Sequence, residues 1–90
     1  MDKKLFEKMN QKIIEIFENT SEVKIISESL NELSSTNNSF TYGLVVGRLY
    51  NSFYYQSRRL LQRDPTNKEF SEFIEILKQK QSEFLKKFSS

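Results

Sequence analysis

The chain has no cysteine and no histidine, and it lacks alanine and tryptophan as well. Without cysteine there is no disulfide to staple a small domain. Without cysteine or histidine the usual zinc and transition-metal ligand sets cannot be assembled, so no metal or other cofactor is expected. The same two absences remove the commonest general acid–base and the strongest side-chain nucleophile. Two glycines are too few for a phosphate loop or a dinucleotide fingerprint. Serines are plentiful, yet no Gly-x-Ser-x-Gly elbow occurs. The acid pairs Glu28/Glu32 and Glu72/Glu75 fall where a helical bundle keeps its solvated face, and a di-iron arrangement would need Glu-x-x-His. These absences point away from an enzyme and from a small-molecule substrate. They point toward a protein that works by binding.

Long apolar runs are missing too. No stretch approaches the roughly 18 consecutive apolar residues of a membrane span. The start, Met1-Asp2-Lys3-Lys4, leads into a pattern broken by charges rather than into an apolar signal segment. A cytoplasmic location is the expectation.

Ninety residues make one domain, 1–90. A chain of this size buries only about 60–65% of the surface its unfolded form exposes. With no disulfide and no metal, close helix packing or oligomerisation must supply the remaining stability. Apolar residues make up 37% of the chain. Eight Phe and four Tyr raise the buried area available, at roughly 150–250 Å² each.

Apolar periodicity predicts four helices. The first spans about 3–18, with Asp2 as its cap and Leu5, Phe6, Met9, Ile13, Ile16 and Phe17 on one face. The second spans about 21–33, with Val23, Ile26, Leu30 and Leu33 as a narrow heptad-like seam. A loop follows at 34–40, rich in Ser, Thr and Asn. The third helix spans about 41–63, with an apolar stripe of Tyr42, Val46, Leu49, Phe53 and Leu60. Its first residues also alternate as a strand would, and a short strand against 23–27 is the alternative. Asp64-Pro65 breaks the chain. Thr66 and Glu69 then form a capping box for a fourth helix at about 67–87. Gln81 interrupts the apolar seam of that helix and reads as a register-setting residue.

The expected fold is an all-α, four-helix bundle-like single domain that dimerises through helices 3 and 4. The expected buried set is led by Phe6, Ile13, Phe17, Ile26, Leu30, Leu49, Phe53, Phe70, Leu77 and Phe84.

Charge is unevenly spread. Residues 1–38 carry five Lys against seven acids, and residues 39–65 carry four Arg against one Asp. Every arginine therefore lies in the middle third. Opposite the apolar stripe of helix 3 fall Leu44, Arg48, Asn51, Tyr55, Arg58, Arg59 and Gln62, with Tyr54 and Arg63 at the flanks. Tyr and Arg are favoured hot-spot residues of protein interfaces. Arg, Asn, Gln and Tyr also suit phosphate and base contacts. A third use is internal pairing of the arginines with Glu15, Glu18, Glu22, Glu28 and Glu32. Gly43 and Gly47 form Gly-x-x-x-Gly, which lets another backbone come close, either inside the monomer or across a dimer.

The leading functional expectation is a non-enzymatic module that holds a protein partner or a second copy of itself. Its candidate site is Arg48, Asn51, Tyr55, Arg58, Arg59, Gln62 and Arg63, with Gly43 and Gly47 for close packing. The alternative is DNA or RNA binding through the same face.

Overall fold

The computed structural model describes residues 1–33 and 39–88. Its described residues are helical with no strand, so the strand alternative for the start of helix 3 falls away. The order is α1 (Lys3–Glu18), α2 (Ser21–Ser29), α3 (Ser39–Leu61), α4 (Asn67–Gln79) and α5 (Gln81–Phe88). Segment 34–38 of the expected loop lies outside the described residues, and Ser39 and Phe40 already belong to α3.

α1 starts where its cap dictates. The Asp2 carboxylate accepts the Leu5 backbone N–H at 3.1 Å, satisfying a donor the first turn leaves free. Leu5, Met9, Ile13 and Ile16 then bury the i, i+4 stripe against α3. α4 starts on the capping box read from the sequence. The Thr66 hydroxyl accepts the Glu69 N–H at 3.1 Å, and Glu69 accepts the Thr66 N–H at 2.9 Å.

α3 is the axis of the molecule. α1 and then α2 lie along one side of it, both antiparallel to it. At one end Asp2 adds to the acidic field around Arg63. At the other, Glu22 reaches Arg48 at 3.9 Å and the Ser27 and Thr41 hydroxyls meet at 2.7 Å. α4 lies along a second side, where Phe53 stacks on Phe73 with ring centroids 4.5 Å apart. The Met1 ammonium joins α1 to α4 through Glu72 at 2.6 Å. The core between these layers holds Leu5, Met9, Ile13, Val45, Leu49, Phe53 and Phe73, each almost wholly buried.

Several expectations fail, each for a tertiary reason. The long last helix is two helices. It breaks at Lys80, one residue before Gln81, and α5 tips so that Phe84 meets Phe17 edge-on at 5.3 Å. The α2 seam does not face the core. α2 ends at Ser29, Val23 and Ser27 are its buried residues, and Ile26, Leu30 and Leu33 stand exposed. The α3 stripe is displaced by one residue over its first turns, because Thr41 and Val45 take the inner positions and leave Val46 outside. Phe6 and Phe70 are exposed, and Phe17 only half-buried.

The molecule is elongated, 39 × 22 × 21 Å, with a Cα radius of gyration of 13.9 Å. A compact domain of this length has about 12 Å. Its accessible surface is 6194 Å², against about 5500 Å² for a typical folded monomer of this mass.

Candidate interaction surface on helix 3

A helix of 23 residues is about 34 Å long, and its neighbours cover only part of its circumference. α1 and α2 cover one side, α4 lies along a second, and α5 also packs on α3. The uncovered side carries Phe40, Gly43, Leu44, Gly47, Arg48, Asn51, Tyr55 and Arg58. Around Gly43 and Gly47 there is a hollow of about 440 Å³, walled by Phe40, Leu44 and Arg48. Among the described residues, a Cβ added at either glycine would meet no atom within 4 Å. The glycines therefore pack against no described residue of the chain, although packing inside the monomer was the favoured reading of their motif. Both have ordinary helical backbone rather than positive φ, so a side chain is not barred by strain either. Each costs α3 about 1 kcal/mol in helix propensity relative to alanine.

That cost yields a prediction. In dilute solution, Gly43→Ala and Gly47→Ala should each stabilise the monomer by about 0.5–1 kcal/mol. Thermal unfolding should move up by a few degrees for each. A fall in the melting temperature would mean the added methyl meets something the isolated chain does not contain.

Beside the glycines an aromatic ladder climbs from core to surface. Tyr50 stacks near Phe73 at 6.4 Å and meets Phe70 at 6.2 Å and Tyr54 at 5.4 Å. The Arg58 guanidinium carbon lies 5.5 Å from the Tyr54 ring centroid, a cation–π contact. Tyr50 and its hydroxyl raise the Tyr54 phenol above its ordinary value. Tyr55 points away from this ladder and is 59% exposed.

The arginines divide. Arg58 donates to the Asp64 carboxylate at 2.5 Å, which raises its guanidinium further above its ordinary value. Arg63 forks onto both Glu69 oxygens at 2.7 and 3.2 Å, and its pKa is raised for the same kind of reason. Arg48 lines a hollow with Glu15, Glu18 and Asn19, close to Glu22. Arg59 has no ion pair among the described residues.

Two candidates leave the face altogether. α3 ends at Leu61, and Gln62 turns the chain with φ 57. Arg63 lies beyond that turn, where Ser57 donates its hydroxyl to the Arg63 carbonyl at 2.8 Å. Gln62 and Arg63 build the α3–α4 corner and do not extend the face. Arg48, Asn51, Tyr55, Arg58 and Arg59 remain on exposed α3. Sequence reasoning missed Phe40, Val46 and Tyr50 as surface residues. Phe40 reads as loop and Val46 as core until the phase of α3 is known, and Tyr50 is assigned to neither.

Among the described residues no group of three or more acids is placed to hold a metal ion. No helix among them is long and apolar enough to cross a membrane. Comparison with known protein families, with characterised proteins and with solved structures gives no match.

Proposed function

We propose that this chain is a non-enzymatic interaction module that holds a protein partner on the uncovered side of α3. The observation that carries the reading is the open glycine face. Two helix-weakening residues sit side by side on a long helix, meet nothing among the described residues and are flanked by exposed apolar and aromatic side chains. Arg48, Asn51, Tyr55 and Arg59 give that face polar contacts around its apolar centre, the usual anatomy of a protein interface.

Charge favours protein over nucleic acid. A phosphate backbone needs available cations. Arg58 and Arg63 are committed to Asp64 and Glu69, and Arg48 stands among glutamates that would repel phosphate. Arg59 alone is too little for a salt-sensitive phosphate contact of any strength.

The test is site-specific photo-crosslinking in the cells that make the protein. A crosslinking side chain at position 55 should give covalent protein adducts, and one at Gln11, exposed on α1, should give few. Equal yields at the two positions, or none at 55, would overturn the reading.

A further inference from the structure

We propose that the partner is a second copy of this chain, with α3 crossing α3 antiparallel about the Gly43–Gly47 hollow. This rests on the reading that α3 is a contact surface and adds what occupies it. Three observations converge on a second copy.

The first is area. The chain leaves 6194 Å² accessible, about 700 Å² more than a folded monomer of its mass ordinarily does. A standard interface covers about 800 Å² on each partner. The excess is of the size one self-contact would remove.

The second is the distribution of uncovered apolar groups. Some stand beside the α3 hollow and others at the end of α2, while Phe6, Ile14, Ile25 and Leu85 are exposed elsewhere. Val46 and Tyr50 flank the glycines, and Leu30 and Leu33 stand 46% and 67% exposed just past the start of α3. With the crossing centred between the glycines, Tyr55 lies about 15 Å along the axis and Ser39 about 9 Å the other way. In an antiparallel pair, Tyr55 of one copy therefore overhangs the start of the other copy's α3. There it meets the Leu30–Leu33 turn. One arrangement covers both apolar groups.

The third is charge, and it sets the direction. The open side is acidic at its α2 end, where Glu28 and Glu32 have no ion pair among the described residues. It is basic at the other end, where Arg59 near the close of α3 has no ion pair among the described residues. A parallel pair would stack like charge on like. An antiparallel pair brings the α3 end that carries Arg59 in each copy toward the α2 end that carries Glu32 in the other, and the two-fold axis makes the approach twice. Bare glycine backbone at the centre lets the two helices approach closely.

The experiment is light scattering across protein concentration on the full chain and four variants. The wild type is expected to dimerise. Gly47→Leu should be monomeric while melting no lower than the wild type in dilute solution, which separates lost pairing from lost folding. Arg59→Glu and Glu32→Lys should each weaken the dimer roughly tenfold. The double variant should recover most of that loss, because the reversed charges again meet their opposites. A monomeric wild type, a dimer untouched by Gly47→Leu, or a double variant no better than the singles would overturn the proposal. A monomeric wild type that still crosslinks from position 55 to a different protein would overturn the second copy and leave the module standing. No crosslink from that position would remove both.

Discussion

Phe53→Ala is expected to leave the chain largely unfolded at physiological temperature. Phe53 sits at the middle of α3 with no exposed surface. It stacks on Phe73 of α4 with the rings 4° from parallel, and its edge meets Tyr54 at 6.0 Å. With Tyr50, which meets Phe70 and Phe73, it ties α4 to the axis. Removing a fully buried Phe costs about 3–5 kcal/mol, in lost transfer energy and in the cavity left behind. A domain of 90 residues has roughly 5–13 kcal/mol in total. This chain belongs at the lower end, since no disulfide supports it and much apolar surface stays exposed. Phe53→Leu refills most of the volume and should cost only about 1–2 kcal/mol. Urea unfolding followed by circular dichroism gives the comparison. A cooperative Phe53→Ala transition within about 1 kcal/mol of the wild type would show that α4 is held some other way.

Of that stack, Phe53 was legible beforehand from its place in the α3 stripe. So were α1 and the start of α4, because local chemistry decides them. A carboxylate cap at Asp2 and a reciprocal box at Thr66 and Glu69 satisfy donors within three residues. What the chain does not announce is which side of a helix its neighbours choose. α2 carries Val23, Ile26 and Leu30 at good heptad spacing, yet it turns Val23 and Ser27 inward. The Ser27–Thr41 hydroxyl pair satisfies two buried polar groups at once. Apolar periodicity is blind to such a pair. The same blindness misplaced α3, whose inner face includes Thr41, Gln56 and Ser57.

The candidate face was legible in composition and not in commitment. Tyr55, Asn51, Arg48 and Arg59 are exposed on α3 as their spacing implies. The spacing says nothing of Asp64 and Glu69, which reach Arg58 and Arg63 only after Gln62 has turned the chain. Arginines and amides on a binding face and in a structural corner look alike in one dimension. The glycines are the reverse case. Their motif was visible at once, and only the empty space around them separates packing inside the monomer from contact with something else.

Glu69 should give the largest effect at a polar position, and it should appear as a pH dependence. Its carboxylate is 6% exposed and takes the Arg63 fork together with the Thr66 N–H. The Arg63 hydrogen bonds, aided by Thr66 and opposed by burial, pull its pKa from 4.5 down to about 2. A group depressed in the folded state adds stability above its unfolded pKa and loses it as pH falls through the folded one. The contribution is therefore complete above about pH 4.5 and disappears between 4.5 and 2. Arg63 is 45% exposed, so screening reduces the full linkage value to about 1–2 kcal/mol. Glu69→Ala should cost about 2–3 kcal/mol at neutral pH, since it also removes half the capping box and leaves Arg63 without its acid. Glu69→Gln keeps a neutral cap and loses only the ion pair. Urea unfolding of the wild type and Glu69→Gln from neutral pH downward should give two stability curves that converge as the pH approaches 2. Curves that stay parallel would mean the carboxylate is not charged by its partner in the folded chain, and that the α3–α4 corner is held by Ser57 and the cap alone.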